Sequence, residues 1–172
     1  MTEVRLQQWG DDGLETLRRA NTPEMTAFLG GPESEQALVE RHARYLRLWR
    51  EGGARMFRIV TPDHPEGVGS IGTWPDGHHG SGAFETGWAV EAAHQGRGIA
   101  TAALLAVLDD ARATHGAVDV YAYPRVENAA SNAICRKAGF VLVGEEPFEY
   151  PKGTWARSSV WVHRAEDTGA GA

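Results

Sequence analysis

The sequence predicts a single mixed α/β domain, α+β-like in its strand order, with a central sheet of about seven strands and about four helices packed on it. Three observations carry this. Strand-like and helix-like stretches are interspersed in the order β-α-α-β-β-β-α-β-α-β-β, a pattern that packs as helices on a sheet. Three of the strands follow one another with no helix between them, which argues against a doubly wound parallel sheet. The 172 residues contain no internal repeat, linker or low-complexity insert, and one core serves a chain of that length.

Residues 4–9 alternate loosely between apolar and polar and read as the first strand. Asp11 and Asp12 are placed to cap a helix through Leu14, Leu17 and Ala20. The break Asn21-Thr22-Pro23 follows, then a short apolar turn over 25–29 that Gly30-Gly31-Pro32 stops. Ser34 starts a long helix reaching Glu51, with Leu38, His42, Tyr45 and Trp49 at helical spacing on its apolar face. Gly52-Gly53 end it. Strands are expected at 56–61, 67–74 and 84–90, separated by the turn-rich stretches Pro62-Asp63-His64-Pro65 and 75–82. The helix over 99–114 carries Ile99, Ala102, Ala103, Leu105, Ala106, Val107 and Ala111, an almost all-round apolar surface that predicts deep burial. A strand at 118–123, a short helix at 128–137 stopped by Gly139, and strands at 140–143 and 158–163 complete a domain taken as residues 1–165. Residues 166–172 read as a flexible tail.

A net charge of −6 and a pI near 5.6 supply no basic field, so neither nucleic acid nor a membrane surface is expected as a partner. The acidity suits a cationic substrate such as an amine, although solubility alone accounts for it. Cys135 is the only cysteine, which rules out an intrachain disulfide and fits a reducing compartment. Met1-Thr2-Glu3-Val4-Arg5 has no apolar signal core. The richest apolar run, 100–108, is far below the ~20 residues of a membrane helix. The expectation is a cytoplasmic protein.

Gln95-Gly96-Arg97-Gly98-Ile99-Ala100 joins a strand to a helix. The first helical turn leaves its N–H groups without intrahelical partners, and the helix dipole adds partial positive charge there. A phosphate or pyrophosphate suits such a place. Gly96 and Gly98 admit positive φ and a close backbone approach.

A second block lies one strand downstream, where Asn128-Ala129-Ala130-Ser131 precedes Cys135-Arg136-Lys137-Ala138-Gly139-Phe140. Together with the loop and Gly87-Trp88-Ala89-Val90, it resembles the GNAT superfamily of N-acetyltransferases. The loop matches the acetyl-CoA motif Gln/Arg-x-x-Gly-x-Gly/Ala at Gln95, Gly98 and Ala100, and the second block matches an Asn-x-x-Ser block ending in Gly-Phe. Phe28-Leu29-Gly30-Gly31-Pro32 and the long helix after it are similar to the branch containing ribosomal-protein N-terminal acetyltransferases. The resemblance spans residues 4–163 and implies a splayed strand pair, acetyl-CoA as co-substrate, no metal and an amine acceptor. It implies that the backbone at Trp88 and Val90 bonds the pantetheine arm. The amides of Gln95, Gly96, Arg97, Gly98, Ile99, Ala100 and Thr101 would hold the pyrophosphate, with a charge-assisted contact from Arg97. Asn128 would bond the pantetheine or the adenine-side backbone, and Ser131 would cap the short helix. Dimers are common among such proteins, so a homodimer is allowed.

Direct acetyl transfer needs a placed amine, a base to deprotonate it and a proton for the departing thiolate. Glu85, on the strand leading into the loop, is the candidate base; the alternative is an exposed carboxylate or one paired with arginine. Many family members carry tyrosine four residues after the serine of the second block, where this chain has Cys135. A thiol titrates near ~8.5 against ~10 for tyrosine, so Cys135 is a candidate acid, while a lone helical cysteine is more often a core residue. Water, Tyr121, Tyr123 or Tyr150 are the other donors, and a covalent acetyl-Cys135 route lacks a visible activating base. His78-His79, with Asp76, lacks zinc spacing and reads as an exposed loop. His42, Trp74, Trp88 and Trp155 are core residues or walls of an acceptor site. Glu145, Glu146 and Glu149 either attract a cationic amine or form a solvated acidic hairpin. Beside an N-acetyltransferase acting on a protein N-terminus or a small-molecule amine, two readings stay open: a non-catalytic acyl-CoA-binding module, and an acyltransferase using a longer acyl-CoA.

Overall fold

The computed structural model describes residues 2–79 and 81–165. The chain runs β1 (Arg5–Gln8), α1 (Gly13–Ala20), α2 (Glu35–Glu51), β2 (Arg55–Thr61), β3 (His64–Pro75), β4 (Phe84–Val90), a 3-10 turn (Ala92–His94), α3 (Ile99–His115), β5 (Val120–Ala122), α4 (Ala129–Lys137), β6 (Val141–Glu149) and β7 (Trp155–His163). All seven strands form one mixed sheet in the order β1-β2-β3-β4-β5-β7-β6. The β4–β5 pair is parallel; the other pairs are antiparallel.

The expected elements form for the expected reasons. The Ser34 hydroxyl accepts the Ala37 N–H at the start of α2, and Gly52, at φ 72°, closes it. Helix α3 supplies Ile99, Ala103, Leu104, Val107, Leu108 and Ala111 to the main core, where they meet Phe57, Ile59, Val68, Ile71, Val120 and Trp161. A second cluster of Trp9, Leu17, Leu38 and Met56, with Tyr45 and Trp74 against it, seats α1 and α2. The sheet thus has a core on each face, as a buried two-faced sheet requires.

Three boundaries differ from expectation. Asp12 does not cap α1 through its side chain. Its carboxylate lies 2.8 Å from the Arg58 guanidinium, a buried cation that also bonds Gln7 and the Glu66 carbonyl. Pairing a buried charge outweighs a cap. Thr61 pairs with His64, so Pro62-Asp63 is a tight turn and β3 begins earlier. Strands β6 and β7 form one long hairpin from Val141↔Val162 out to Glu149↔Trp155. The stretch read as an acidic hairpin is the outer part of this hairpin, and only its strand length was underestimated; Glu145 is held 2.7 Å from Arg157 and Glu149 accepts the Gly153 N–H. The expected tail, 166–172, lies outside the described residues.

Leu104 is fully buried at the centre of the main core. Leu104→Ala is expected to lower the unfolding free energy by about 2–5 kcal/mol in urea titration, with the unfolding slope unchanged.

Candidate active site

Strands β4 and β5 share two rungs, Phe84↔Val120 and Glu85↔Tyr121, and then part. Strand β5 ends at Ala122 and the chain stays beside β7 through Val126 before it turns into α4, while β4 continues to Val90. The Phe84 N–H bonds the Asp119 carbonyl on the β5 side, and the Glu91 N–H bonds the Val68 carbonyl on the β3 side. Alternation of backbone groups along an antiparallel pair therefore turns those of Thr86, Trp88 and Val90 away from β3, into the gap. The Trp88 side chain packs against the main core, leaving its backbone as the group it offers there.

The glycine loop closes the far end of the gap. The Gln95 side-chain amide donates to the Val90 carbonyl at 2.8 Å, tying the loop to the end of β4, so its side chain is a brace. Gly96 and Gly98 have φ of 73° and 79°, a conformation that strains residues with a Cβ. Gly98 is the N-cap of α3 and provides no side-chain acceptor. The Ala102 N–H already bonds the Gly98 carbonyl. The N–H groups of residues 96–101 make no turn, loop or cap bond among the described residues. Ile99 is buried and pins the helix start, whereas Arg97 is exposed. A row of unpaired donors at a helix N-terminus fits a pyrophosphate.

Across the gap, Asn128 Oδ1 accepts the Ser131 N–H at 3.2 Å and is the cap of α4. The expected cap, Ser131, is instead inside the helix, because an Asx side chain one position outside reaches back more directly. Sequence reasoning overlooked Asn132. Its amide donates to the Arg125 and Asn128 carbonyls and its oxygen accepts the Trp161 indole N–H, locking α4 to β7.

Cys135 is wholly buried in the main core, with Val107, Phe140 and Trp161 in the same cluster. Burial pushes its thiol up to about 12. Handing that proton to an ordinary thiolate, which titrates near ~8.5, is uphill by about 5 kcal/mol. Cys135 thus sits among the packing residues of the main core. The same burial removes it as a nucleophile.

Glu85 lies on the opposite face. Strand alternation and the pairings Trp74↔Glu85 and Glu85↔Tyr121 put Trp74, Asp76, Glu85, Tyr121 and Tyr123 on one side of the sheet, the side that carries α1 and α2. Burial pushes the Glu85 carboxyl up to about 7; the Trp74 side chain opposes this and the charge of Asp76 adds to it. A carboxyl titrating there is a competent base at neutral pH.

The His78-His79 turn is exposed, as expected, but it is tied down from beneath by a buried carboxylate. The Asp76 carboxylate, with no exposed side-chain surface, accepts the N–H groups of His78 and His79 through Oδ2 and the Tyr123 hydroxyl through Oδ1 at 2.8 Å. The His79 ring stacks on Tyr121 at 4.5 Å, and its Nδ1 lies 2.6 Å from the Tyr123 oxygen. Glu146 reaches to 3.6 Å of His79 Nε2, and Phe148 stacks on Tyr123. Of the tryptophans, Trp74 shares the face of Glu85, Trp88 does not, and Trp155 is 65% exposed on the hairpin. His42 accepts the Trp9 indole N–H. Among the described residues, no group of three or more His, Cys, Asp or Glu is placed to hold a metal ion.

The acetyltransferase (GNAT) domain model matches residues 3–141, and the chain belongs to that family. No curated protein matches it significantly. Among solved structures, a ribosomal L7/L12 alpha-N-protein acetyltransferase, in complex with coenzyme A as a CoA–cysteine disulfide, is 19% identical at TM-score 0.78, covering 95% of each chain. The ribosomal-protein-S5-alanine acetyltransferase of Vibrio fischeri is 19% identical at TM-score 0.77, covering 95% of this chain and 93% of its own. The aminoglycoside acetyltransferase AAC(6')-Ib, in complex with coenzyme A, is 15% identical at TM-score 0.76, covering 95% and 96%. These likenesses show a shared fold.

Two outcomes follow from these environments. Cys135 is expected to resist a disulfide-exchange reagent at pH 8 in the folded protein and to react at once in guanidinium; rapid native labelling would contradict its burial. Glu85 binds its proton more tightly folded than unfolded, so the stability it contributes is full below 4.5 and is lost as pH rises through about 7. Melting curves of Glu85→Gln and the parent are expected to diverge across that window, with the variant the more stable above it.

Proposed function

We propose that this chain transfers an acetyl group from acetyl-CoA to a primary amine by direct attack in a ternary complex. The observation that carries the reading is the gap between β4 and β5. One end meets the unpaired loop donors of 96–101, and the strand that forms its wall carries Glu85 on the α1/α2 face. The backbone at Trp88 and Val90 is suited to run beside the pantetheine arm, and the loop donors to hold the pyrophosphate. Acetyl-CoA, when bound, supplies the activated thioester.

Glu85 takes the proton of the attacking amine as the N–C bond forms and the C–S bond breaks. The carboxylic acid thus formed, titrating near 7, is acidic enough to return a proton, through water, to a thiolate that titrates near ~8.5. One carboxyl thereby closes the proton balance without Cys135, and without Tyr123, whose proton is committed to Asp76. The free acceptor is an ammonium that releases one proton to solvent before it attacks, so the proton Glu85 takes is the second, and its cationic form suits the acidic and aromatic surroundings of Glu85. A protein N-terminus, as named for two of the structural relatives, and a small-molecule amine, as named for the third, are its two classes.

Coenzyme A is expected to raise the melting temperature, and CoA-thiol release is expected with N-terminal peptides or with an amine panel. Stabilisation by CoA without turnover on any amine would favour a non-catalytic acyl-CoA-binding module. Glu85→Gln is expected to lower kcat/KM by about 10²-fold or more and to abolish an acid limb near pH 7. Gly98→Ala, strained by about 1–2 kcal/mol at its φ, is expected to raise the KM for acetyl-CoA by roughly tenfold with kcat little changed.

A further inference from the structure

We propose that Asp76, Tyr123 and His79 form a positioning unit through which the acceptor side of the sheet controls Glu85. This rests on the reading of Glu85 as the base.

The unit has one hub and three arms. Asp76 lies two residues beyond Trp74, which pairs with Glu85, and Tyr123 lies two residues beyond Tyr121, which pairs with Glu85 from the other side. The same face of three neighbouring strands is thus gathered around one carboxyl. The Asp76 N–H bonds the Ala83 carbonyl, closing the β3–β4 connection at its base. The Asp76 carboxylate then binds the loop backbone with one oxygen and Tyr123 with the other. Such a buried, fully bonded carboxylate fixes what surrounds it.

The hydrogen count specifies more. Tyr123 has a single proton, and it goes to Asp76. The 2.6 Å contact from His79 Nδ1 to the same oxygen therefore needs a proton on Nδ1. That fixes the tautomer and leaves Nε2 facing Glu146 at 3.6 Å. The phenol of Tyr123 is held well above its ordinary range by burial and then by Asp76, with Glu85 and Glu146 adding to it, so it stays neutral and only donates. The charged and titratable groups around Glu85 are then Asp76 from the end of β3, His79 from the loop, Tyr121 and Tyr123 from β5 and its extension, and Glu146 from β6. Asp76 is the fixed anion among them that acts on Glu85 directly.

Two substitutions push Glu85 in opposite directions. Asp76→Asn removes the anion, which lets Glu85 ionise more easily. Tyr123→Phe removes the proton that Asp76 shares, which leaves the anion less compensated and makes Glu85 harder to ionise. Loosening of the loop alone would move both variants the same way.

The test is the pH profile of kcat/KM for acetyl transfer, beside a carbon-13 NMR titration of the Glu85 carboxyl, identified by its loss in Glu85→Gln. The parent, titrating near 7, is expected to run at pH 6 about tenfold below its plateau. Asp76→Asn is expected to show a smaller deficit and Tyr123→Phe a larger one, with the KM for acetyl-CoA unchanged in both. The carboxyl titration is expected to move in the same two directions. If Glu85→Gln loses the acid limb but neither variant moves it or the carboxyl titration, the positioning unit is overturned and the base stands. If Glu85→Gln keeps the limb, the base reading fails and this inference with it.

Discussion

Strands β4 and β5 run parallel for two residue pairs and then separate. A parallel pair normally continues until its backbone groups are satisfied. Here one strand stops at Ala122 and the other goes on to Val90, so β4 beyond Glu85 has no strand partner on that side. That local failure of pairing is what the rest of the structure accommodates. The apolar helix α3 covers the gap on one face, anchored by Ile99 and Leu104. Helix α4, locked to β7 by Asn132 and Trp161, holds its other border. The loop at the end of β4 is braced to the same strand by Gln95. A sheet with continuous pairing would satisfy its own backbone and have nothing to offer a ligand.

The two faces of β4 divide the chemistry. On the α3 face, Trp88 and Val90 are core residues, and their backbone faces the gap. On the α1/α2 face, Glu85 sits among Trp74, Tyr121 and the bonded carboxylate of Asp76. Burial raises the Glu85 carboxyl, and the charge of Asp76 adds to it. Asp76, the more deeply buried, is satisfied by three N–H and O–H donors and serves as an acceptor. Two carboxylates on one face thus take different roles through their hydrogen-bond partners.

The helices and the glycine loop were legible because their signals are local. Ser34, Gly52 and the 3.6-residue spacing of 38–49 act within one turn, and Gly96 and Gly98 are read from their own backbone. The link between Glu85 and the loop was legible because Glu85 lies on the strand that leads into it. Other features were hidden because they join distant positions. Asp76 and Tyr123 are 47 residues apart, and neither carries a pattern that announces the other. Asp12 looked like a cap because Arg58 lies far along the chain. The full length of β6 was masked by Gly144 and Pro147, which weaken a strand signal yet are tolerated on an edge strand. Cys135 was ambiguous on the sequence alone, since packing and proton donation ask for the same residue and differ only in surroundings.

Those surroundings also change what the substitution of cysteine for tyrosine means. A tyrosine hydroxyl near ~10 lies within reach of a thiolate near ~8.5, whereas a thiol raised to about 12 does not. The loss of one acid need not disable the site if another group titrates on the favourable side of the thiolate. In the mechanism we propose, Glu85, pushed up to about 7, is that group, holding the proton taken from the amine. The requirement on the fold then shifts from placing two titrating groups to keeping one poised near neutrality. Burial supplies most of that poise, and the fixed charge of Asp76 adds to it.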